Sequence, residues 1–375
     1  MLQSKRNILK RIIPLFIGIP LLASCNNSAI KLENAKIIHD TKFNSATIDI
    51  TIEEFNNLGF KLGDSCDVSF SNGYTFIDVP YYNGYYVKNG DPVIVSYPSS
   101  TNVQFTLNNV GIWDNAELKE EYTVTISLKE EGKYKATQEA LGQSYSLLRE
   151  EYDSDEEFSN FRALKGGNLK DNLLYRGASP VDNSRKRAST TDTLLKSKGV
   201  KAIVDLADSK EDMDSYLISD EFNSPYTKSL YENDKIALLD MGSSYTSNAY
   251  MEKVATGLRH ILNNDGPYYI HCMEGKDRTG FVCCLIEALL GASYEEMCVD
   301  YMTTYQNYYK ISKTETPEKY QAVVNLYFDA FMETLLSDLT NDLEHVSYIE
   351  GAKSYLREAG MNDQEIESLI LKLSK

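Results

Sequence analysis

The chain has 375 residues, long enough for two domains, since a single hydrophobic core stops growing at about 250–300 residues. Its 42% hydrophobic and 25% charged residues are a globular composition, while a net charge of -17 and a pI near 4.8 exclude nucleic acid as a partner, because a phosphate backbone must be met by a basic stripe. Any anion-binding site must be positive locally, against the field of the whole chain.

The first predicted element is a targeting segment. Lys5, Arg6, Lys10 and Arg11 form a positive n-region, "IIPLFIGIPLLAS" is an apolar run too short to span a bilayer comfortably, and small residues precede Cys25. "LLASC" resembles the lipobox of bacterial lipoproteins. That resemblance implies a signal peptide over 1–24, cleavage before Cys25, a diacylglyceryl thioether on its sulfur, and a protein anchored by lipid to the extracytoplasmic face of the cell membrane. The other reading is an uncleaved N-terminal anchor.

From 25 to 140 the pattern is β. "SATIDITI" (45–52) and "YTVTISL" (122–128) alternate apolar and polar residues, and between them "SNGY", "YYNGYY" and "KNGDP" each place Asn-Gly between strand-like runs, a hairpin signal. The expectation is a small antiparallel β domain. Its "YYNGYYV" (81–87) reads as an aromatic hairpin stabilised by cross-strand pairs, the alternative being a stacking platform for sugar or peptide. "NNLGFKLGDSCDVSF" faintly resembles the β-barrel-like C-terminal domain of the SAM hydroxide adenosyltransferase family, and no chemistry is carried over from it.

From 141 to 375 helices and strands alternate. "GVKAIVDLAD" (199–208) and "GPYYIHC" (266–272) are short apolar runs ending in polar residues, and "SNAYMEKVATGLRHIL" (247–262) has helical spacing behind a serine cap. Buried strands separated by helices predict an α/β sheet with flanking helices, whose ligands sit beyond the carboxyl ends of the strands. Cys272 lies at such an end. Of the remaining cysteines, Cys66, Cys283, Cys284 and Cys298 read as small buried hydrophobes, and with no CxxC pair or histidine cluster no metal and no cofactor are expected.

The loop "HCMEGKDRTG" (271–280) collects a thiol, two cations and a carboxylate ahead of the apolar "FVCCLIEALL". A cysteine attacks phosphorus as the thiolate, which the N-terminus of the following helix, Lys276 and Arg278 all favour. The guanidinium of Arg278 can clamp two phosphate oxygens, and Gly275 and Gly280 let successive amides of Met273, Glu274, Gly275 and Lys276 turn towards one point. Thr279 can donate to the sulfur. The sum is a phosphate cradle with a nucleophile at its floor.

These residues resemble the bacterial cysteine-dependent tyrosine and lipid phosphatases whose loop reads HCxxGKDRTG, within the C-x5-R superfamily. "LLYRGASP", "VKAIVDLADSKED", "VDYM" and "YLREAGMNDQEIESL" are similar to further segments of that family, over roughly residues 150 to 375. The resemblance implies a protein-tyrosine-phosphatase-like sheet and a metal-independent phosphomonoesterase. In it Cys272 forms a phosphocysteine intermediate, Arg278 binds phosphate, and the substrate is a phosphorylated protein or, by virtue of Lys276, a phosphoinositide. Asp277 is the favoured general acid, with Asp240 in "IALLDMGSSY" the alternative. His271 is expected to hold the loop and tune the thiolate, and Asp205 to order a strand end or an arginine. Ala207 stands where the family usually has an arginine, a loss for which Arg176 is the candidate compensation. Two other readings are a phosphate-binding module without turnover, against which the intact Cys272 and Arg278 count, and a rhodanese-like sulfurtransferase or arsenate reductase, against which "GKDRTG" counts. The Tyr-rich segment 301–336, with aromatics at helical spacing, is expected either as a helical hairpin packed on the sheet or as a lid over the cradle.

Overall fold

The computed structural model describes residues 30–336 and 347–375; the stretch 1–24, expected to be a signal peptide, and Cys25 lie outside the described residues. Contacts divide the chain into two units, one running to Gln143 with Gln321–Leu326 added, the other made of Ser144–Tyr320 and Tyr327–Lys375.

The first unit contains β1 (Lys31–Asp40), β2 (Ser45–Thr51), α1 (Ile52–Asn57), β3 (Ser65–Phe70), β4 (Thr75–Tyr82), β5 (Pro92–Val95), β6 (Asn102–Leu107), β7 (Thr123–Glu130) and α2 (Lys135–Leu141). The period-two pattern puts Ala46 and Ile48 of β2 and Val124 and Ile126 of β7 on the inner face, where they meet Val68 and Phe105 in an apolar core that also holds Cys66. The strands close in the order β1-β2-β6-β5-β4-β3-β7, with β7 pairing back to β1.

The expected plain antiparallel domain is thereby corrected in two respects: the sheet closes into a barrel, and β4 runs parallel to β5, with Tyr81 opposite Ile94 and Tyr82 opposite Val95. The reason lies at Asn83. Its backbone N–H donates to Gln138 Oε1 at 3.0 Å and its Oδ1 accepts from Gln138 Nε2 at 2.9 Å, so this Asn-Gly is pinned to α2 instead of folding 85–87 back onto Tyr81 and Tyr82. Asn72-Gly73, by contrast, is a true hairpin turn between β3 and β4, with Gly73 at φ +97. Tyr81 and Tyr82 are buried, so the aromatic run supplies core on one side while Tyr85 and Tyr97 stay exposed, their ring centroids 6.3 Å apart.

The second unit opens with α3 (Asp155–Phe158), β8 (Arg162–Ala163) and β9 (Leu174–Gly177). There follow α4 (Ala188–Lys198), β10 (Ala202–Asp205), α5 (Lys210–Leu217), α6 (Pro225–Glu232), β11 (Ile236–Leu238), α7 (Asn248–Asn263), β12 (Tyr268–His271) and α8 (Asp277–Leu289). The chain continues through α9 (Tyr294–Tyr309), α10 (Pro317–Val323), α11 (Asp329–Leu335), α12 (Tyr348–Glu358) and α13 (Asp363–Leu373). The sheet order is β11-β10-β12-β9-β8, parallel except for β8. β9, β10 and β12 are buried throughout, which is why β10 and β12 read as continuous apolar runs without alternation, while β9 carries the buried Arg176. Register aligns Leu238, Asp205, His271 and Gly177 across the carboxyl edge, so the residues that follow them converge on one place.

α8 starts at that edge from the central strand. Buried from Thr279 to Leu289 and apolar on every side except at Glu287, it sits inside the unit, which fixes the loop at its N-terminus. Gly280 is required by this packing: a Cβ there would lie 2.8 Å from the Tyr301 ring of α9. Phe281 meets Phe331 of α11 and Tyr355 of α12, at centroid distances of 5.6 and 5.4 Å. Cys283 and Cys284 are fully buried on the same helix, and burial pushes the Cys283 thiol up to about 12, leaving it inert.

Candidate active site

The backbone of the loop between β12 and α8 is turned inside out. Met273 O accepts from the Ser179 amide at 3.0 Å. Glu274 O accepts from Tyr308 Oη at 2.9 Å and Asn160 Nδ2 at 3.3 Å, and Gly275 O from Arg176 Nη2 at 2.8 Å and Asn160 Nδ2 at 3.2 Å. A trans peptide points its N–H opposite to its C=O, so carbonyls drawn outward leave the amides of Glu274, Gly275 and Lys276 facing the other way; among the described residues these amides have no acceptor. With the unsatisfied first-turn amides of α8, they make a concave set of donors suited to a tetrahedral oxyanion. Cys272, 4% exposed, lies at its base. Gly275, at φ +67, sits so close to β9 that a Cβ would fall 2.2 Å from Gly177 O, and no other residue fits there.

Arg176 is fully buried beneath this loop. Its guanidinium pairs with Asp300 and grips Gly275 O, so it braces the loop from below and its fork is taken up there. The compensation imagined for the arginine missing at Ala207 is therefore not supplied by Arg176. Asp300 also accepts from Arg162 Nε at 2.7 Å, and Arg162 Nη1 donates to Asn160 Oδ1 at 2.7 Å. The two guanidiniums outweigh burial and hold the Asp300 carboxyl below the usual carboxylate range. A cavity of about 580 Å³ lined by Phe161, Arg162, Tyr175, Glu287 and Asp300 opens beside this clamp, and Cys272 is not among its lining residues.

Behind Cys272, Asp205 ends β10 with its Oδ1 accepting the amides of Ala207 at 2.9 Å and Asp208 at 3.1 Å, so it orders the strand end. Burial pushes Asp205 up to about 6. Burial and the neighbouring Asp205 charge push Asp208 up to about 8. His271, its Nε2 3.7 Å from Asp205 Oδ2 and its Nδ1 3.3 Å from Cys272 O, is lowered to about 4 by burial. The ring is neutral at pH 7, so it can hold the loop by hydrogen bonding but lends the sulfur no positive charge.

The mouth is formed by the loop's own side chains. Arg278 Nη1 donates to Met241 O at 2.8 Å, which orients the guanidinium and places it next to Asp240. Asp240 itself is 70% exposed, with Lys253 Nζ 3.8 Å from its Oδ2. Lys276 Nζ lies 3.6 Å from Glu274 Oε2 and 3.8 Å from Asp277 Oδ2, with the rings of Tyr305 and Tyr309 at 5.9 and 5.7 Å. Burial works against the ammonium, but Asp277, the phenols and Glu274 hold its pKa well above that of an ordinary lysine. The Asp277 carboxyl is half exposed yet walled by the loop; this crowding, helped by Glu274, raises it above the usual range despite Lys276 and Arg278. Thr279 Oγ1 is buried without a hydrogen-bond partner.

The predicted loop residues 271–280 form one cup, with Asp205 bonded behind it and Arg176 bracing it from below; Asp240 is tied to it through its neighbour Met241, and its own carboxylate turns to Lys253 and solvent. Asn160, Arg162 and Asp300, assigned no role from the sequence, hold it in shape, together with Tyr308 of the Tyr-rich segment. The prior signals were the aspartate inside "VDYM" for Asp300 and the helical spacing of aromatics for Tyr308; Asn160 and Arg162 had none.

The chain belongs to the tyrosine phosphatase family, whose sequence model matches residues 155–375, more than half of the chain. No curated protein shows a significant sequence match. Among solved structures, the core catalytic domain of the PP-IP phosphatase Siw14 from S. cerevisiae, in complex with citrate, is 19% identical over 48% of this chain and 91% of that one, with a TM-score of 0.27. TpbA of P. aeruginosa is 15% identical over 53% and 85%, with a TM-score of 0.24. An uncharacterized conserved protein from Thermotoga maritima is 15% identical over 30% of this chain, with a TM-score of 0.23, and the chain spans 43% of its length. The family assignment rests on the sequence match.

Proposed function

We propose that the protein is a metal-independent phosphomonoesterase working through a phosphocysteine on Cys272, most suited to phosphotyrosyl proteins. The observation that carries this reading is the inverted loop behind the buried Cys272, whose carbonyls are gripped from outside while its amides point the opposite way and have no acceptor among the described residues. In the first step the Cys272 thiolate attacks phosphorus as the substrate oxygen leaves with a proton from the general acid. The transferring oxygens are held by the loop amides and by Arg278, whose charge matches what develops in the transition state. In the second step the same carboxylate takes a proton from water, which attacks phosphorus and releases phosphate and the thiolate; Thr279 donates to the leaving sulfur, a role supported by its buried Oγ1 having no other partner among the described residues. Asp277 is the acid of choice. Crowding keeps its proton on to higher pH, whereas Asp240 is open to water and paired with Lys253.

The targeting segment supports a second part of the proposal: the mature protein begins at Cys25 and acts outside the cytoplasm on a lipid anchor. Radiolabelled palmitate should enter the protein and fail to enter Cys25→Ala. The activity is tested on a fragment lacking 1–25, with p-nitrophenyl phosphate and a phosphotyrosine peptide. Turnover that disappears in Cys272→Ser supports the proposal; turnover in both, or in neither, refutes it.

A further inference from the structure

Resting on the phosphatase reading, we propose that Glu274 is a specificity-determining residue: it holds Lys276 away from the substrate, so that the site accepts a lone aryl phosphate and turns away substrates carrying a second phosphate beside the first. Lys276 is the residue that in sequence speaks for phosphoinositides. In the structure its ammonium is already engaged.

Glu274 is fixed on three sides. Tyr145 Oη donates to its Oε1, Arg185 Nε lies 3.2 Å from the same oxygen, and Oε2 faces Lys276 at 3.6 Å. Tyr145 is itself stacked on Tyr308, whose hydroxyl donates to the Glu274 carbonyl, so side chain and backbone of this residue are anchored by one aromatic pair. On its other side Lys276 meets Asp277 at 3.8 Å, and Tyr305 and Tyr309 face the ammonium, leaving the side chain 19% exposed. Glu274 is thus the carboxylate between two cations, Lys276 and Arg185, while Asp277 on the far side of Lys276 carries the proton of the general acid. Arg278 alone is left to neutralise the phosphate at Cys272. A second phosphate near the first would meet the Glu274 carboxylate and a lysine it could recruit only by breaking that ion pair, a repulsive arrangement of the kind that specificity requires. The aromatic walls suit a flat aryl ester instead.

Glu274→Gln leaves the shape of the loop and frees Lys276. The ratio of kcat/KM for a soluble short-chain phosphatidylinositol bisphosphate to that for p-nitrophenyl phosphate should rise tenfold or more, about 1.4 kcal/mol, chiefly through KM for the bisphosphate. The rise should vanish in Glu274→Gln/Lys276→Met. Tyr145→Phe, which loosens the grip without touching the loop, should move the ratio the same way by less. A ratio unchanged or lowered in a natively folded Glu274→Gln overturns the proposal, as does a rise that survives loss of Lys276. A turnover-free arm separates this from failure of the phosphatase reading: in a Cys272→Ser background, calorimetry should show inositol 4,5-bisphosphate, whose phosphates are vicinal, gaining affinity over inorganic phosphate by the same factor when Glu274→Gln is added. No gain there overturns the proposal whether or not the enzyme turns over.

Discussion

Removing Asp300 tests how the loop is held. The carboxylate, 10% exposed, carries Arg162 at 2.7 Å and the fully buried Arg176. Asp300→Ala leaves two guanidiniums facing each other out of water, and breaking one such buried pair costs about 3–5 kcal/mol because the surviving charge is uncompensated. Against a total stability of about 5–15 kcal/mol this is a fifth or more, and for a unit of about 200 residues it corresponds to a fall in Tm of about 6–20 °C. Arg176 would also release Gly275 O, and a shift of about 1 Å in the loop lowers kcat by up to ~100-fold. The assay must see the right unit. The single tryptophan, Trp113, lies in the barrel, so its fluorescence follows the first unit, and the second needs amide hydrogen exchange at β9 and β12 or near-UV tyrosine dichroism. Replacing the set together, Arg162→Met/Arg176→Met/Asp300→Leu, should recover stability but not activity. An Asp300→Ala protein within ~1 kcal/mol of the parent would refute this account of the clamp.

Asp208 gives a pH prediction whose sign is fixed by its raised folded value: a carboxyl at about 8 against an unfolded value near the ordinary 3.8 binds its proton more tightly when folded, so its contribution is full at low pH and is lost as pH rises through 8. Asp208→Asn should therefore gain stability over the parent between pH 5 and pH 8, by about 1–3 kcal/mol after allowance for its coupling to Asp205, read as a pH-dependent shift in urea midpoint; a flat or reversed difference contradicts the assignment. Asp277→Asn should lose far more activity on a phenyl ester with a poor leaving group than on p-nitrophenyl phosphate, and Asp240→Asn should lose similar amounts on both; the reverse pattern would move the acid to Asp240. Gly275→Ala should abolish phosphate binding or destabilise the second unit by several kcal/mol, since its Cβ meets a backbone carbonyl that cannot yield; a variant with unaltered phosphate affinity and stability argues against the close approach.

Where chemistry is contiguous, the sequence was readable. The cup from His271 to Gly280 is ten residues between a strand and a helix, and thiol, arginine and glycines can be given roles from their spacing alone. What could not be read are groups that meet only after folding. Arg162 and Asp300 are 138 positions apart, and Asn160 reaches Gly275 O across 115; neither carries any local mark of its partner. The same limit produced the error in the first unit, where Asn83-Gly84 has every feature of a hairpin turn and is overruled by Gln138, 55 positions on. Lys276 shows a subtler version: its position suggested a free cation, and only the fold brings Arg185 and Tyr145 to the Glu274 that restrains it.

The closure of the N-terminal strands has a consequence for how that unit can be recruited. An open sheet offers a row of unpaired backbone groups to which any extended peptide can add, whatever its sequence. In the barrel every strand has a neighbour on both sides, so that generic route is shut, and with it the main road to domain swapping and fibre formation. Whatever this unit recognises must be read by side chains on its faces and connecting loops, a vocabulary that can drift from one descendant to the next without disturbing the strands beneath. A module of this kind can change its clientele while remaining the same fold.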